Sequence, residues 1–175
     1  GTGKWTWISA LDLGVPLTLI GESVFARVLS SLKEERVRAA AILGPRGKMP
    51  KIAVADRSVM IDALRDALYA SKIISYAQGF MLMAEAAKEQ GWDLSYGEIA
   101  LMWRGGCILR SPFLGIINEA YENNSKLENL TLDVFFTEAL KNAEAVWRKA
   151  VVLAVTRGIT GVSYTHLTLT TMSSL

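Results

Sequence analysis

The chain has one cysteine and one histidine in 175 residues. The lone Cys107 builds neither a disulfide framework nor a zinc site. With His166 as the single histidine, a His-based metal site is out of reach. No Ser-His-Asp set, no paired-carboxylate motif and no G-x-G-x-x-G is present. No apolar run is long enough to span a bilayer; "AVVLAV", Ala150 to Val155, is bounded by Lys149 and Thr156. The start lacks a basic stretch followed by an apolar one, so no secretory signal is read and the expected compartment is the reducing cytoplasm. Charge of one sign is scarce too. A net charge of +2 gives no reason to expect nucleic acid or a membrane surface as partner.

What is abundant is apolar surface at helical spacing. Half the residues, 51%, are hydrophobic and 21% are charged, which places the chain among globular proteins of one domain. A first helix is read from Lys4 to Leu13, stopped by Gly14. Pro16 is expected in the first turn of the next, where its missing N–H is harmless. That helix carries Leu17, Ile20, Val24, Val28 and Leu32 and runs to Gly44-Pro45. After a loop, "GPRGKMPKIAVA", a proline-free stretch from Asp56 to Gln90 forms the longest helix, and Gly91 stops it. Apolar residues surround its second half, "ISYAQGFMLMAEAA", so it is expected to be central. "SYGE", Ser95 to Glu98, opens a helix with a capping-box pattern. Another starts at Ser111-Pro112 and reaches Asn123. The last begins at Thr131 or Asp133 and ends at Gly158. Six helices or so with short connections and no alternating segments predict an all-α, multi-helix domain.

Few residues offer chemistry. "GTGKWT", Gly1 to Thr6, resembles a phosphate loop but fails the P-loop pattern, because only Gly1 and Thr2 stand before the Gly3-Lys4 pair in this sequence, where a strand is expected, and Trp5 follows Lys4. Two readings stay open for it. One is an anion cradle of glycine backbone, the Thr2 hydroxyl and a helix start. The other is a frayed terminus. Arg27, with Ser23 and Ser30 on its helix face, can grip a phosphate or carboxylate bidentately, or can be a solvated or salt-bridged surface arginine. Arg104 and Arg110 flank "GGCIL", where helix packing is the favoured use of the glycines and Cys107 reads as an inert core thiol. Lys33, Glu34, Glu35, Arg36 and Arg38 read as a wet helix face. The five tryptophans read as core and interface anchors.

"GTGKWT", "SVFAR", "YAQGF" and "RGGCILR" occur in order, within longer matching stretches from Gly1 to Ile159. Together they resemble the all-helical C-terminal domain of the decarboxylating 6-phosphogluconate dehydrogenases. The resemblance implies a homodimeric, NADP-dependent oxidoreductase (EC 1.1.1.44) of the pentose phosphate pathway, converting 6-phosphogluconate to ribulose 5-phosphate and carbon dioxide. It implies that Thr2 and Arg27 bind the substrate's phosphate; the role of Lys4 is left open. No catalytic residue is assigned within the chain. The family's catalytic lysine and glutamate, its phosphate-binding lysine and its Rossmann domain are expected upstream of Gly1. NADP is expected to be held mainly by that domain, so preference over NAD is not legible here.

The resemblance stops where "TRGI" gives way to "TGVSYTHLTLTTMSSL". The family's tail arginine and histidine have no match there, and His166 does not take the latter's place. "VSYTHLTLTT" resembles translated adapter sequence at the ends of gene fragments. Residues 160–175 are therefore expected to be disordered or foreign to the fold, and residues 1–159 to be the domain, incomplete at both ends. The expected role is substrate-phosphate binding and dimerisation, without activity in isolation. The alternative is a non-catalytic helical binding or assembly module.

Overall fold

The computed structural model describes residues 1–44, 53, 56–106 and 111–159. Among them are seven α-helices and no strand: α1 (Thr2–Asp12), α2 (Thr18–Ser31), α3 (Lys33–Leu43), α4 (Arg57–Gln90), α5 (Tyr96–Gly106), α6 (Phe113–Asn123) and α7 (Val134–Thr156), with a 3₁₀ turn at Leu130–Leu132 before α7. The all-α expectation holds. Expectations about the "GPRGKMPKIAVA" loop beyond Gly44, about Cys107 and Arg110, and about the tail from Thr160 onward lie outside the described residues.

Helix α4 is the axis. Without proline it runs 34 residues and ends where Gly91 takes a left-handed φ of 68°. Glycine adopts that conformation without Cβ strain, and it lets the Trp92 N–H return to the Ala87 carbonyl at 2.9 Å. Helix α7 starts where Asp133 Oδ1 accepts from the N–H groups of Phe135 (3.0 Å) and Phe136 (3.3 Å). It packs along α4 in the antiparallel sense, its last turns beside Met60 and Leu64 and its first turns beside Ile74. Ile73, Ile74, Phe136, Leu140 and Trp147 fill the seam. Helices α5 and α6 pair with each other and close the other side of α4 through aromatic contacts. Phe80 meets Trp103 at 5.6 Å and Tyr121 at 5.3 Å, while Phe113 meets Tyr76 at 5.3 Å and Phe136 at 5.4 Å.

Several expectations need correction. Pro16 lies before α2 rather than in its first turn; the N-cap is Leu17. The single helix expected from Pro16 to Gly44 is two, broken at Leu32, whose ψ is 52°. The cause is local hydrogen bonding. Ser30 and Ser31 turn their hydroxyls onto the carbonyls of Arg27 and Val28, both at 2.7 Å, and Arg36 Nη2 donates to the Ser30 carbonyl at 2.9 Å. These bonds compete with continuation of the helix. At Gly105 and Gly106 an added Cβ would meet nothing within 4 Å, so no close helix packing uses them among the described residues. The tryptophans divide: Trp147 is fully buried in the core, whereas Trp5 and Trp92 are exposed.

Helices α2 and α3 hang on the core by one end. Within α2 only Leu19 and Gly21 are buried, and within α3 nothing is. The charge run at the start of α3 is wet, as its composition predicts.

Candidate functional site

The two residues assigned to a phosphate lie 25 positions apart in sequence, and packing of α1 on α2 brings their helix ends together. Two glycines make that packing close. A Cβ on Gly3 would sit 2.8 Å from Val24 Cγ2, and one on Gly21 would collide with Trp7 Cζ3. Trp7 also meets Phe25 edge-on at 5.6 Å. Gly3 opposite Val24 and Trp7 opposite Gly21 define an antiparallel register. Thr2 precedes the Gly3 contact by one residue and Arg27 follows the Val24 contact by three, so both lie toward the same end of the helix pair.

At that corner α1 presents its positive end. Its N-cap is Gly1, and among the described residues no side chain caps the first turn. Thr2 is exposed; its carbonyl accepts from the Thr6 hydroxyl at 2.9 Å, which ties the first turn together. Lys4 folds its ammonium over the Trp5 ring, 5.1 Å from the centroid.

Arg27 is exposed, and among the described residues no carboxylate pairs with it. Its Nη1 donates to Ser30 Oγ at 2.9 Å. Since Arg36 reaches the Ser30 carbonyl, two guanidinium groups converge on one serine at the α2–α3 break. Sequence reading set Arg36 aside in a solvated run; the "SSLKEER" spacing, with serines six residues before an arginine, was the available signal. Without a fixed carboxylate partner, Arg27 can swing to an incoming anion at the cost of one exposed hydrogen bond. The salt-bridged reading of Arg27 is not what the structure shows.

At the opposite end of α2, away from that corner, sits a residue that sequence reading quoted only as part of a motif. Gln78 of "YAQGF" is buried, and its side chain reaches α2: Oε1 accepts from the N–H groups of Leu19 (3.2 Å) and Ile20 (3.3 Å), and Nε2 donates to Thr18 Oγ1 (2.9 Å). Successive motif residues thus face different partners, Tyr76 and Phe80 toward the aromatic cluster and Gln78 toward α2.

Elsewhere, Arg104 rests on α6, where a Cβ at Gly115 would meet its Nη1 at 3.2 Å; nothing connects it to the corner. A groove of about 570 Å³ lies between the start of α4 and the end of α7, lined by Met60, Leu64, Val152 and Leu153 among others. It is mostly apolar, with Asp56, Arg148, Lys149 and Thr156 also in its lining. Among the described residues no group of three His, Cys, Asp or Glu could hold a metal, and no helix is long and apolar enough to cross a membrane.

Comparison with known proteins gives this geometry its context. The family model described as "6-phosphogluconate dehydrogenase, C-terminal domain" matches residues 1–170. The "6-phosphogluconate dehydrogenase, decarboxylating 1" of Saccharomyces cerevisiae is 60% identical over 159 residues, covering 91% of this chain and 32% of that protein. The human "6-phosphogluconate dehydrogenase, decarboxylating" is 58% identical over 159 residues, with the same coverage of 91% and 32%. The chain therefore spans about a third of the length of these relatives. Among solved structures, the Plasmodium falciparum 6-phosphogluconate dehydrogenase, described in its apo form and in complexes with NADP+ and with 6-phosphogluconate, superposes with a TM-score of 0.90 at 37% identity, over 100% of this chain and 38% of that one. The chain belongs to the 6-phosphogluconate dehydrogenase C-terminal domain family.

Proposed function

We propose that this chain is the phosphate-binding and dimer-forming part of an NADP-dependent enzyme that oxidises and decarboxylates 6-phosphogluconate to ribulose 5-phosphate in the cytoplasm. The observation that carries the reading is the match of residues 1–170 to the family's C-terminal domain, supported by the packing of α1, which carries the Thr2 hydroxyl, on α2, which carries an arginine that no carboxylate holds among the described residues. A phosphate dianion supplies the negative charge and acceptor oxygens that such a corner lacks.

Binding there fixes the end of the substrate remote from the reacting carbons. Thr2 and the α1 amides hold phosphate oxygens, and Arg27 adds a two-pronged charge-assisted grip that sets the sugar acid's direction. The work of these residues is binding and orientation. NADP supplies the hydride acceptor of the reaction. The described residues do not fit it: they contain no strand, hence no strand–turn–helix crevice for a dinucleotide, and the sequence holds no G-x-G-x-x-G. Exposed Phe25, Val28 and Leu29 on α2, and Val59, Ile61 and Leu68 on α4, support burial against further protein, a second subunit included.

The test is steady-state kinetics on a full-length enzyme carrying this segment. Thr2→Ala and Arg27→Ala should each raise the KM for 6-phosphogluconate and leave that for NADP unchanged. An unaltered KM for 6-phosphogluconate in both overturns the assignment.

A further inference from the structure

We infer that Gln78, which touches no part of the phosphate corner, is a positioning residue for Arg27, acting through helix α2. The inference rests on the phosphate-site reading above. Helix α2 starts without a cap of its own, because its N-cap residue is Leu17. The N–H groups of Leu19 and Ile20 would be unpaired at its start, and both donate to the side-chain oxygen of Gln78 (3.2 and 3.3 Å). The amide nitrogen of the same side chain donates to Thr18 Oγ1 at 2.9 Å. Three hydrogen bonds through one planar amide fix the height and rotation of α2 on α4. Gln78 is 5% exposed, so water does not substitute for them readily.

Apart from the packing of α1 on Gly21, Val24 and Phe25, little else holds α2 in that orientation. Its buried residues, Leu19 and Gly21, sit in the same first turns, while Phe25, Val28 and Leu29 farther along are more than half exposed. At 1.5 Å per residue, Arg27 lies about 12 Å beyond Leu19 along the helix. A small tilt at the clamp becomes a larger displacement of the guanidinium. A bidentate contact loses most of its value when its two N–H groups no longer meet two oxygens. Gln78 is therefore a lever's fulcrum: removing the amide should weaken phosphate binding without removing any group that binds it.

The experiment is a double-mutant cycle in a full-length enzyme carrying this segment, reading kcat, KM for 6-phosphogluconate and KM for NADP. Gln78→Met keeps size and removes the amide. Gln78→Glu keeps the acceptor oxygens, and its charge suits a helix start. Gln78→Met should raise the KM for 6-phosphogluconate roughly three- to tenfold, a part of what full loss of a charge-assisted bond would cost, with kcat and the KM for NADP nearly unchanged. Gln78→Glu should restore much of it. In an Arg27→Ala background, Gln78→Met should add nothing further to that KM, because the residue it positions is gone. Full additivity of the two effects, or a Gln78→Met enzyme with normal KM, overturns the inference. If Gln78→Met does not fold, the milder Thr18→Val, which removes the acceptor for Nε2, carries the same cycle with the same criteria. If Arg27→Ala itself leaves the KM unchanged, the phosphate-site reading has failed instead, and the two failures are distinguishable.

Discussion

Trp7 of α1 lies against Gly21 of α2 with no room for a Cβ between them. Gly21→Ala would force the indole ring, or the whole of α1, to shift. Overpacking of this kind costs roughly 1–3 kcal/mol. Because the contact also sets how α1, which carries Thr2, lies on α2, which carries Arg27, a full-length enzyme with Gly21→Ala should melt at lower temperature and, on the proposed phosphate site, show a raised KM for 6-phosphogluconate. Thermal denaturation and kinetics on the same preparation check both.

Arg27→Ala should raise the KM for 6-phosphogluconate roughly ten- to a hundredfold, the value of a charge-assisted hydrogen bond of about 1.5–3 kcal/mol. The kcat should change little, since the grip is remote from the reacting carbons and serves ground and transition states alike. Arg27→Lys should recover only part of the loss, because an ammonium cannot reproduce the fork. A surface arginine without a ligand role would leave the KM unchanged in both variants.

Tyr121 should make the fold sensitive to alkali. Burial raises its phenol above the ordinary value of 10.0, with the nearby Tyr96 adding to the effect. The folded state then keeps a proton that the unfolded chain releases. The stability gained is fully present below pH 10 and is lost as pH rises toward the elevated folded value. Urea midpoints near pH 8 and above pH 10 should show a larger alkaline loss for the natural protein than for Tyr121→Phe.

Asp133→Ala should destabilise the domain by about 0.5–2 kcal/mol, because two N–H groups at the start of α7 lose their acceptor. Asp133→Asn should retain most of the stability. Urea denaturation of the two variants gives the difference directly.

In isolation the chain should associate and produce no NADPH. Ile42 and Leu43 on α3 are more than four-fifths exposed, and Val59, Ile61, Leu64 and Leu68 in the first half of α4 are more than half exposed. Light scattering at micromolar concentration should report dimers or larger species, and an assay with 6-phosphogluconate and NADP should stay at the blank. A stable monomer would count against these faces as interfaces.

By itself the sequence determined the helical class, the length of α4 and the ends that local chemistry controls. Gly91 stops α4 because its left-handed conformation is open to glycine without strain, and Asp133 starts α7 because its carboxylate reaches N–H groups two and three residues ahead. Such signals act within one turn and are readable from neighbours in the chain. Motif resemblance likewise picked out the family, and it is the source of the proposal that Thr2 and Arg27 hold the phosphate. The tertiary structure decided what joins them. That Gly3 and Gly21 let α1 lie on α2, and that Gln78 caps a helix some 60 residues before it, are facts about atoms distant in sequence. A glutamine inside an apolar stretch reads the same whether it faces solvent or another helix; only the packing of α2 on α4, which leaves two N–H groups without a local acceptor, gives it its role.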